Sequence, residues 1–272
     1  MSNKTIPKRS SRSSSKSKLN CISMSVDPED ENDLIRIVCI SDTHNGHSKQ
    51  KFNDKIRKIN ADILIHAGDF GEHGTDEERT DFLQWLESLT NFQYKIFIAG
   101  NMDAIGLDNK CEDARRRKHL NLVSNDSTVI YLENESCKVL GIKIYGCPYT
   151  PEFYGGFQYV RQSQQAMDLW ENIPIDCDLL ISHGPPRKIL DQNSRGDHVG
   201  CRDLKEAIWR RPSLKAIIFG HVHRDYGITR KKDKWFINAA QYNGIYENDI
   251  ENRVIELSIR RNDKMVYEPY SL

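Results

Sequence analysis

No apolar run in this chain approaches the roughly 20 residues that cross a bilayer. The N-terminus lacks the apolar core of a secretory signal. These absences predict no membrane partner and an intracellular, cytoplasmic protein. Lys+Arg 39 against Asp+Glu 39 leaves no net charge, so no global field draws the chain to nucleic acid. The seven cysteines are odd in number and include no C-x-x-C pair. Cys39 lies inside an apolar strand pattern, where a thiol acts as a small hydrophobe, and the set reads as reduced. A P-loop, a dinucleotide fingerprint and a Ser-His-Asp arrangement are also missing.

What remains is a soluble, globular composition, 38% hydrophobic and 29% charged over 272 residues, the size of one α/β domain. Residues 1–20 are basic and Ser-rich without an acid, and Asp27 to Asp33 reverse the sign. Residues 1–33 are therefore expected to be a disordered tail and 34–272 a single domain. A targeting peptide fits the tail less well, because its apolar face is weak. Strand-like runs fall at 34–41, 61–68, 94–99, 127–132, 137–146, 178–182, 215–220, 234–239 and 253–260, and helical patterns at 49–59, 75–90, 162–171 and 200–210. Thr75 and Glu78 have capping-box spacing, and Phe82, Trp85, Leu86 and Leu89 share one helical face. Alternation of strand and helix implies parallel, buried sheet, while the strands in 127–146 and 234–260 look antiparallel. Two sheets between helix layers accommodate both halves.

The chemistry-bearing residues sit at the C-terminal ends of five strand patterns. Asp42 and His44 follow LIRIVCIS, Asp69 follows ADILIHAG, Asn101 follows YKIFIAG, His183 follows DLLIS, and His221 and His223 follow KAIIFG. In open α/β sheets that edge carries the site. Singly each is weak: a D-x-H is usually a turn, and a G-H-x-H can be two strand-end histidines. In order and together, four histidines, two aspartates and one asparagine form a mixed nitrogen and oxygen set. It suits two divalent ions, Mn, Fe or Zn, rather than Ca. Two such ions stabilise both the attacking and the leaving oxygen of an in-line displacement at phosphorus. Four positive charges less two aspartates and one hydroxide leave one, which matches a monoanionic phosphodiester.

With those motifs, D-T-H, A-G-D, A-G-N, S-H-G and G-H-V-H, the chain resembles the calcineurin-like metallophosphoesterase superfamily over about residues 34–260. The runs F-G-E-H-G, I-Y-G-C-P-Y-T-P, H-G-P-P, V-G-C and I-N-A-A look like its metallophosphoesterase domain-containing branch. The resemblance implies a four-layer α/β/β/α sandwich with two central mixed sheets. It also implies Asp42, His44 and His223 around one metal, Asp69 as a bridge, and Asn101, His183 and His221 around the other, with Asn101 and His223 also touching substrate. The implied activity is phosphodiester hydrolysis by a metal-held hydroxide, on a small phosphodiester or nucleotide of the cyclic type.

One position departs from the pattern. Where the superfamily has a histidine that protonates the leaving group, this chain has Met102, which donates no proton. Asp103 keeps the acidic position, to orient a histidine that is absent or to cap the next turn. Three readings stay open: an enzyme using another acid, a metal- and nucleotide-binding protein with vestigial turnover, or a substitution introduced to trap a complex. His47, His73 and His198 are the alternative acids, each expected first as an exposed loop histidine. The basic run Arg115–Lys118 has no interleaved aromatics, so a nuclease is the less favoured reading. Tyr149, Phe153, Tyr154, Phe157 and Tyr159 read as core or lid packing, with base stacking the sharper alternative.

Overall fold

The computed structural model describes residues 34–105, 122, 124–242, 253–260 and 268–271. The tail at 1–33 and the run Arg115–Lys118 lie outside these residues.

Two six-stranded mixed sheets form the centre. In the first, β1 (Leu34–Ile40), β2 (Ala61–Ala67), β3 (Phe92–Ile98) and β4 (Val129–Tyr131) are parallel. The second contains β5 (Glu135–Val139), β6 (Ile142–Cys147), β9 (Leu179–Ser182), β10 (Ala216–Phe219), β11 (Gly227–Lys231) and β12 (Lys234–Asn238), in the order β11-β12-β10-β9-β6-β5. β13 (Ile255–Arg260) pairs antiparallel with β1, and β14 (Glu268–Ser271) with β13. Short strands β7 (Thr150–Pro151) and β8 (Gln158–Tyr159) pair with each other. The helices are α1 (Gln50–Lys58), α2 (Asp76–Ser88), α3 (Gln164–Glu171) and α4 (Arg202–Trp209).

Side-chain parity explains the layers. Ile35, Ile37 and Cys39 of β1 and Ile63 and Ile65 of β2 share one buried cluster with Ile144, Leu179, Ile181, Ile218 and Ile237 of the other sheet. This is the interface between sheets. The intervening residues, such as Val38, Ile40, Leu64, Leu180 and Ile217, belong to a second cluster with Phe52, Phe82, Trp170 and Leu204 of the helices. With period two, one strand feeds both interfaces, so nearly every residue is apolar. Phe82 of α2 stacks on Phe70 at 4.1 Å and meets Phe97 of β3 edge-on at 5.5 Å. Trp209 of α4 lies 5.8 Å from Phe236 of β12. Burial of each such side chain contributes about 1.5–3 kcal/mol. The fold is the four-layer α/β/β/α sandwich.

Three strand readings need correction. The run at 137–146 is a hairpin, β5 and β6, with Val139 opposite Ile142. Its turn residues Leu140 and Gly141 have φ of 50° and 86°, the left-handed pair that matches strand twist. Leu140 hides that turn from a composition-based reading. The antiparallel expectation fails for β4, which is parallel to β3, for β6, which is parallel to β9, and for β12, which is parallel to β10. It holds for β5 with β6, β11 with β12 and β13 with β1.

The sheets converge where the motifs end. Ser41, just past β1, bridges Ala240, just past β12. The N–H groups of Gln241 and Tyr242 donate to the carbonyls of Ser41 and Asp42 at 2.8 and 3.2 Å.

Candidate metal centre

At that junction the structure gathers two groups of potential ligands, Asp42, His44 and His223, and Asp69, His183 and His221, each with its donor atoms within 4.8 Å of one another. Asn101 joins the second group, with Oδ1 3.0 Å from His183 Nε2. The groups adjoin: His183 and His221, in one, have ring centroids 5.0 Å apart, and His221 N–H donates to both oxygens of Asp42, in the other, at 3.0 and 2.9 Å. All seven residues expected from the sequence are thus in one place.

Local backbone explains how they point inward. Asp42, His44, Asp69 and His221 have φ of 51°, 42°, 55° and 66°, left-handed values that cost non-glycine residues about 1–3 kcal/mol each. Hydrogen bonds hold them there. The N–H groups of Asp42, His44 and Asn45 donate to the carbonyls of Gly68, Asp69 and Phe70 at 2.9, 3.2 and 2.7 Å, lacing the β1 loop to the β2 loop. Glycine is required for space beside both aspartates. A Cβ on Gly100 would lie 2.2 Å from Asp69 Oδ1, and one on Gly220 would lie 2.0 Å from Asp42 Oδ2.

Hydrogen bonds also select the imidazole tautomers. His183 Nδ1 is 2.8 Å from the Ala67 carbonyl, and His44 Nδ1 is 3.2 Å from that of Gly71. A carbonyl only accepts, so Nδ1 carries the proton and Nε2 offers a lone pair to the site. His44 Nε2 and His223 Nε2 then stand 3.3 Å apart, and His223 Nε2 is 3.2 Å from Asp42 Oδ1. Lone pairs and carboxylate oxygens converging in this way fit a cation. Charge supports the same fit. Asp42 and Asp69 are buried, and their ion-pair partners among the described residues are histidines, His223 and His183. Isolated buried carboxylates are costly unless paired or metal-bound. Burial opposes ionisation of Asp42, yet His223 and its neighbours hold the carboxyl well below its usual range. Burial likewise works against protonation of His183, but Asp69 and Asp42 outweigh it and push the imidazole up to about 9, so a cation using the Nε2 lone pair takes the place of a proton there. His221 goes the other way, down to about 4, through burial and the nearby His183.

Asp103 serves neither expected role. It is fully buried, and its Oδ2 accepts the N–H groups of Asp69 at 2.9 Å and Gly100 at 2.7 Å while Oδ1 accepts that of Gly71 at 2.8 Å. It is a brace for the β2 and β3 loops, and burial and the Asp69 carboxylate push its pKa up. Met102 opens a short 3-10 turn, Met102–Ala104, and its N–H donates to Asp69 Oδ1 at 2.8 Å. The backbone at position 102 therefore serves the site whatever side chain it carries.

The alternative acids fare unequally. His47 is not an exposed loop histidine: a 3-10 turn tucks it between Phe82 and Trp85, at 5.4 and 5.3 Å, with Nε2 3.0 Å from Asp81. His198 is half-buried, with Nδ1 2.6 Å from the buried Asp191. His73 is exposed, as expected. The capping box of α2 is present and reaches further than a cap: Glu78 also accepts from the N–H groups of Glu72 and His73 and from Asn45 Nδ2. Tyr242, with no signal in the sequence, stands edge-on to His44 and His223 at 5.6 and 5.2 Å. Of the aromatic segment, Tyr149, Phe157 and Tyr159 are core, while Phe153 and Tyr154 are 80% and 56% exposed. A cleft of about 740 Å³ opens beside the two groups, lined by His221, His223, Phe153, Pro151, Pro185 and Val222 among others.

Known proteins resemble this chain in sequence and in fold. The sequence signature described as calcineurin-like phosphoesterase matches residues 35–225. Human metallophosphoesterase domain-containing protein 1 is 35% identical over 243 residues, covering 84% of this chain and 72% of its own length. A probable rhamnogalacturonate lyase C of Emericella nidulans is 40% identical over 223 residues, covering 79% of this chain, but the chain spans only 19% of that protein. Among solved structures, the phosphopantetheinyl hydrolase of Mycobacterium tuberculosis superposes with a TM-score of 0.53 at 17% identity, over 76% of this chain and 89% of its own. With the signature covering most of the two-sheet body and both ligand groups in it, the chain belongs to the calcineurin-like phosphoesterases.

Proposed function

We propose that the chain hydrolyses phosphodiesters, of cyclic-nucleotide type among them, at a pair of divalent ions, Mn, Fe or Zn. In this reading Asp42, His44 and His223 hold one ion, Asn101, His183 and His221 hold the other, and Asp69 bridges. The observation that carries it is the meeting of two candidate ligand groups where the two sheets converge. Two ions there would polarise the phosphoryl oxygens and supply the nucleophile. Histidines and an asparagine dominate the set, so the pair keeps a residual positive charge suited to a monoanionic ester. In the same reading Asn101 and His223 also contact the phosphoryl oxygens.

The chain's own contribution to the second half of the reaction is reduced at Met102. Its thioether donates no proton to a departing alkoxide, and general acid catalysis is worth roughly 10² to 10⁴ in rate. Good leaving groups depart unaided, so activity depends on the leaving group. The same observation favours a second reading, a metal-loaded phosphoester-binding protein with slow turnover. The five described cysteines, all free, support a reducing compartment such as the cytoplasm.

The test compares a 2′,3′-cyclic nucleotide with an aryl phosphodiester on the wild-type chain and Met102→His. Turnover of the aryl diester with slow turnover of the cyclic nucleotide, and gain on the latter in Met102→His, is expected. Marked preference for monoester dianions contradicts the diester reading. Cleavage of DNA or RNA at rates above either small diester redirects the assignment to a nuclease.

A further inference from the structure

The most exposed large apolar side chain among those described stands beside the metal centre. Phe153 is 80% exposed, yet its ring lies edge-on to His221 at a centroid distance of 6.0 Å. A surface phenylalanine with no structural work to do is normally free to swing. This one sits on a braced loop. Between β7 and β8 the Gln158 side chain accepts from the Phe153 N–H at 3.2 Å and donates to the Tyr154 carbonyl. The Gly156 N–H then donates to the carbonyl of Asn101 at 2.8 Å. A Cβ on Gly155, which has φ of 86°, would lie 2.1 Å from that carbonyl oxygen, so the close approach requires glycine. The loop is thus fastened to one residue of the second ligand group and its ring rests against another.

The space in front of the ring is the cleft of about 740 Å³, and His221 and His223 also face it. Its remaining walls mix the apolar surfaces of Pro151, Pro185, Val222 and Tyr226 with the charged side chains Arg161 and Arg224. A volume of this size takes a small molecule, and apolar walls with a held aromatic ring select a planar group. Resting on the phosphodiesterase reading of the same centre, we infer that Phe153 is a specificity-determining residue. It stacks on an aromatic ring carried by the alcohol half of a phosphoester held at this centre, directly in an aryl ester and through the sugar in a nucleotide. An aryl group and a nucleobase share this chemistry. Stacking of one ring on an aromatic side chain corresponds to roughly a tenfold or greater gain in affinity.

The experiment measures binding by calorimetry to the full manganese-loaded chain, alongside steady-state kinetics on an aryl phosphodiester. Probes are inorganic phosphate, methyl phosphate against phenyl phosphate, and ribose 5-phosphate against adenosine 5′-monophosphate. The wild-type chain is expected to bind the aromatic member of at least one pair about tenfold more tightly. Which pair shows the larger ratio tells an aryl from a nucleobase preference. Phe153→Ala is expected to abolish that ratio while leaving phosphate affinity and melting temperature unchanged, and Phe153→Trp to keep it. Equal affinity within both pairs, or a ratio that survives Phe153→Ala, overturns the inference. A melting temperature that falls in Phe153→Ala with the ratio intact assigns the ring to packing on His221 and overturns it too. Phosphate binding and an aromatic preference without turnover of any diester would fail the phosphodiesterase reading and leave this one standing. Absence of phosphate binding fails both.

Discussion

The backbone N–H of Asp69 donates to Asp103 Oδ2 at 2.9 Å across 34 positions of sequence. With the N–H groups of Gly100 and Gly71 on the same carboxylate, three loop donors converge on one buried side chain that touches no expected ligand donor atom in that set of bonds. Ligand geometry in this centre is therefore a property of the loops' shared brace as much as of the ligands.

Asp103→Asn removes an acceptor oxygen and aims an amide N–H₂ at a backbone donor. It is expected to lower unfolding free energy by about 2–3 kcal/mol and metal affinity by about 10- to 100-fold, as loss of an orienting carboxylate does elsewhere. Denaturant unfolding of the metal-free protein and a metal titration check the two effects separately.

His66 supplies a pH dependence. It is fully buried, its Nε2 lies 3.0 Å from Thr43 Oγ1, and its Nδ1 accepts the Gly68 N–H at 3.3 Å, which engages both nitrogens of the neutral ring. Burial pushes its pKa down to about 3, against the pull of Asp42. The unfolded chain takes up a proton near pH 6.5 that the folded chain refuses, so this stability is intact above 6.5 and declines as pH falls from there toward 3. Between pH 7 and 5 the wild-type protein is expected to lose about 2 kcal/mol more than His66→Gln, measured by urea unfolding with chelator present. Parallel losses in both proteins would contradict the assignment.

For Met102 the expected signature is a slope. Across substituted aryl and alkyl leaving groups, log kcat/KM of the wild-type chain should fall steeply with leaving-group pKa. Met102→His should flatten that line, gaining about 10² to 10⁴ on the poorest leaving group and little on the best. Two parallel lines would mean that position 102 does not handle the leaving group.

Much of this was legible because period and position carry it. β1, β2 and β3 announce themselves as apolar runs, and all seven polar residues at strand ends meet because parallel strands expose their C-terminal ends on one edge. The remainder is written in contacts with no local pattern. Asp103 is recognisable only once three backbone donors from separate loops surround it. Leu140 at φ 50° makes a turn that composition does not suggest. His47 looks like a surface histidine until the aromatic face of α2 closes over it. Phe153 and Tyr242 belong to irregular segments whose direction is set by tertiary bonds.

Removal of metal should be felt by the whole fold, because Asp42 and Asp69 would be left with histidines as their ion-pair partners. At about 100 times its dissociation constant, one ion stabilises the folded state by about 2.7 kcal/mol. Stripping the protein with chelator is expected to lower its melting temperature by about 5–10 °C, and added Mn to restore it, read by differential scanning calorimetry. An unchanged melting temperature would indicate that these residues hold no structural cation.

The most direct measurement is metal stoichiometry by inductively coupled plasma mass spectrometry on the purified full chain and on His44→Ala and His183→Ala. The two ligand groups predict about two ions per wild-type chain and about one in each variant, since each loses a ligand from a different group. A wild-type chain that binds no divalent ion, even after incubation with Mn, Fe or Zn, would contradict the account.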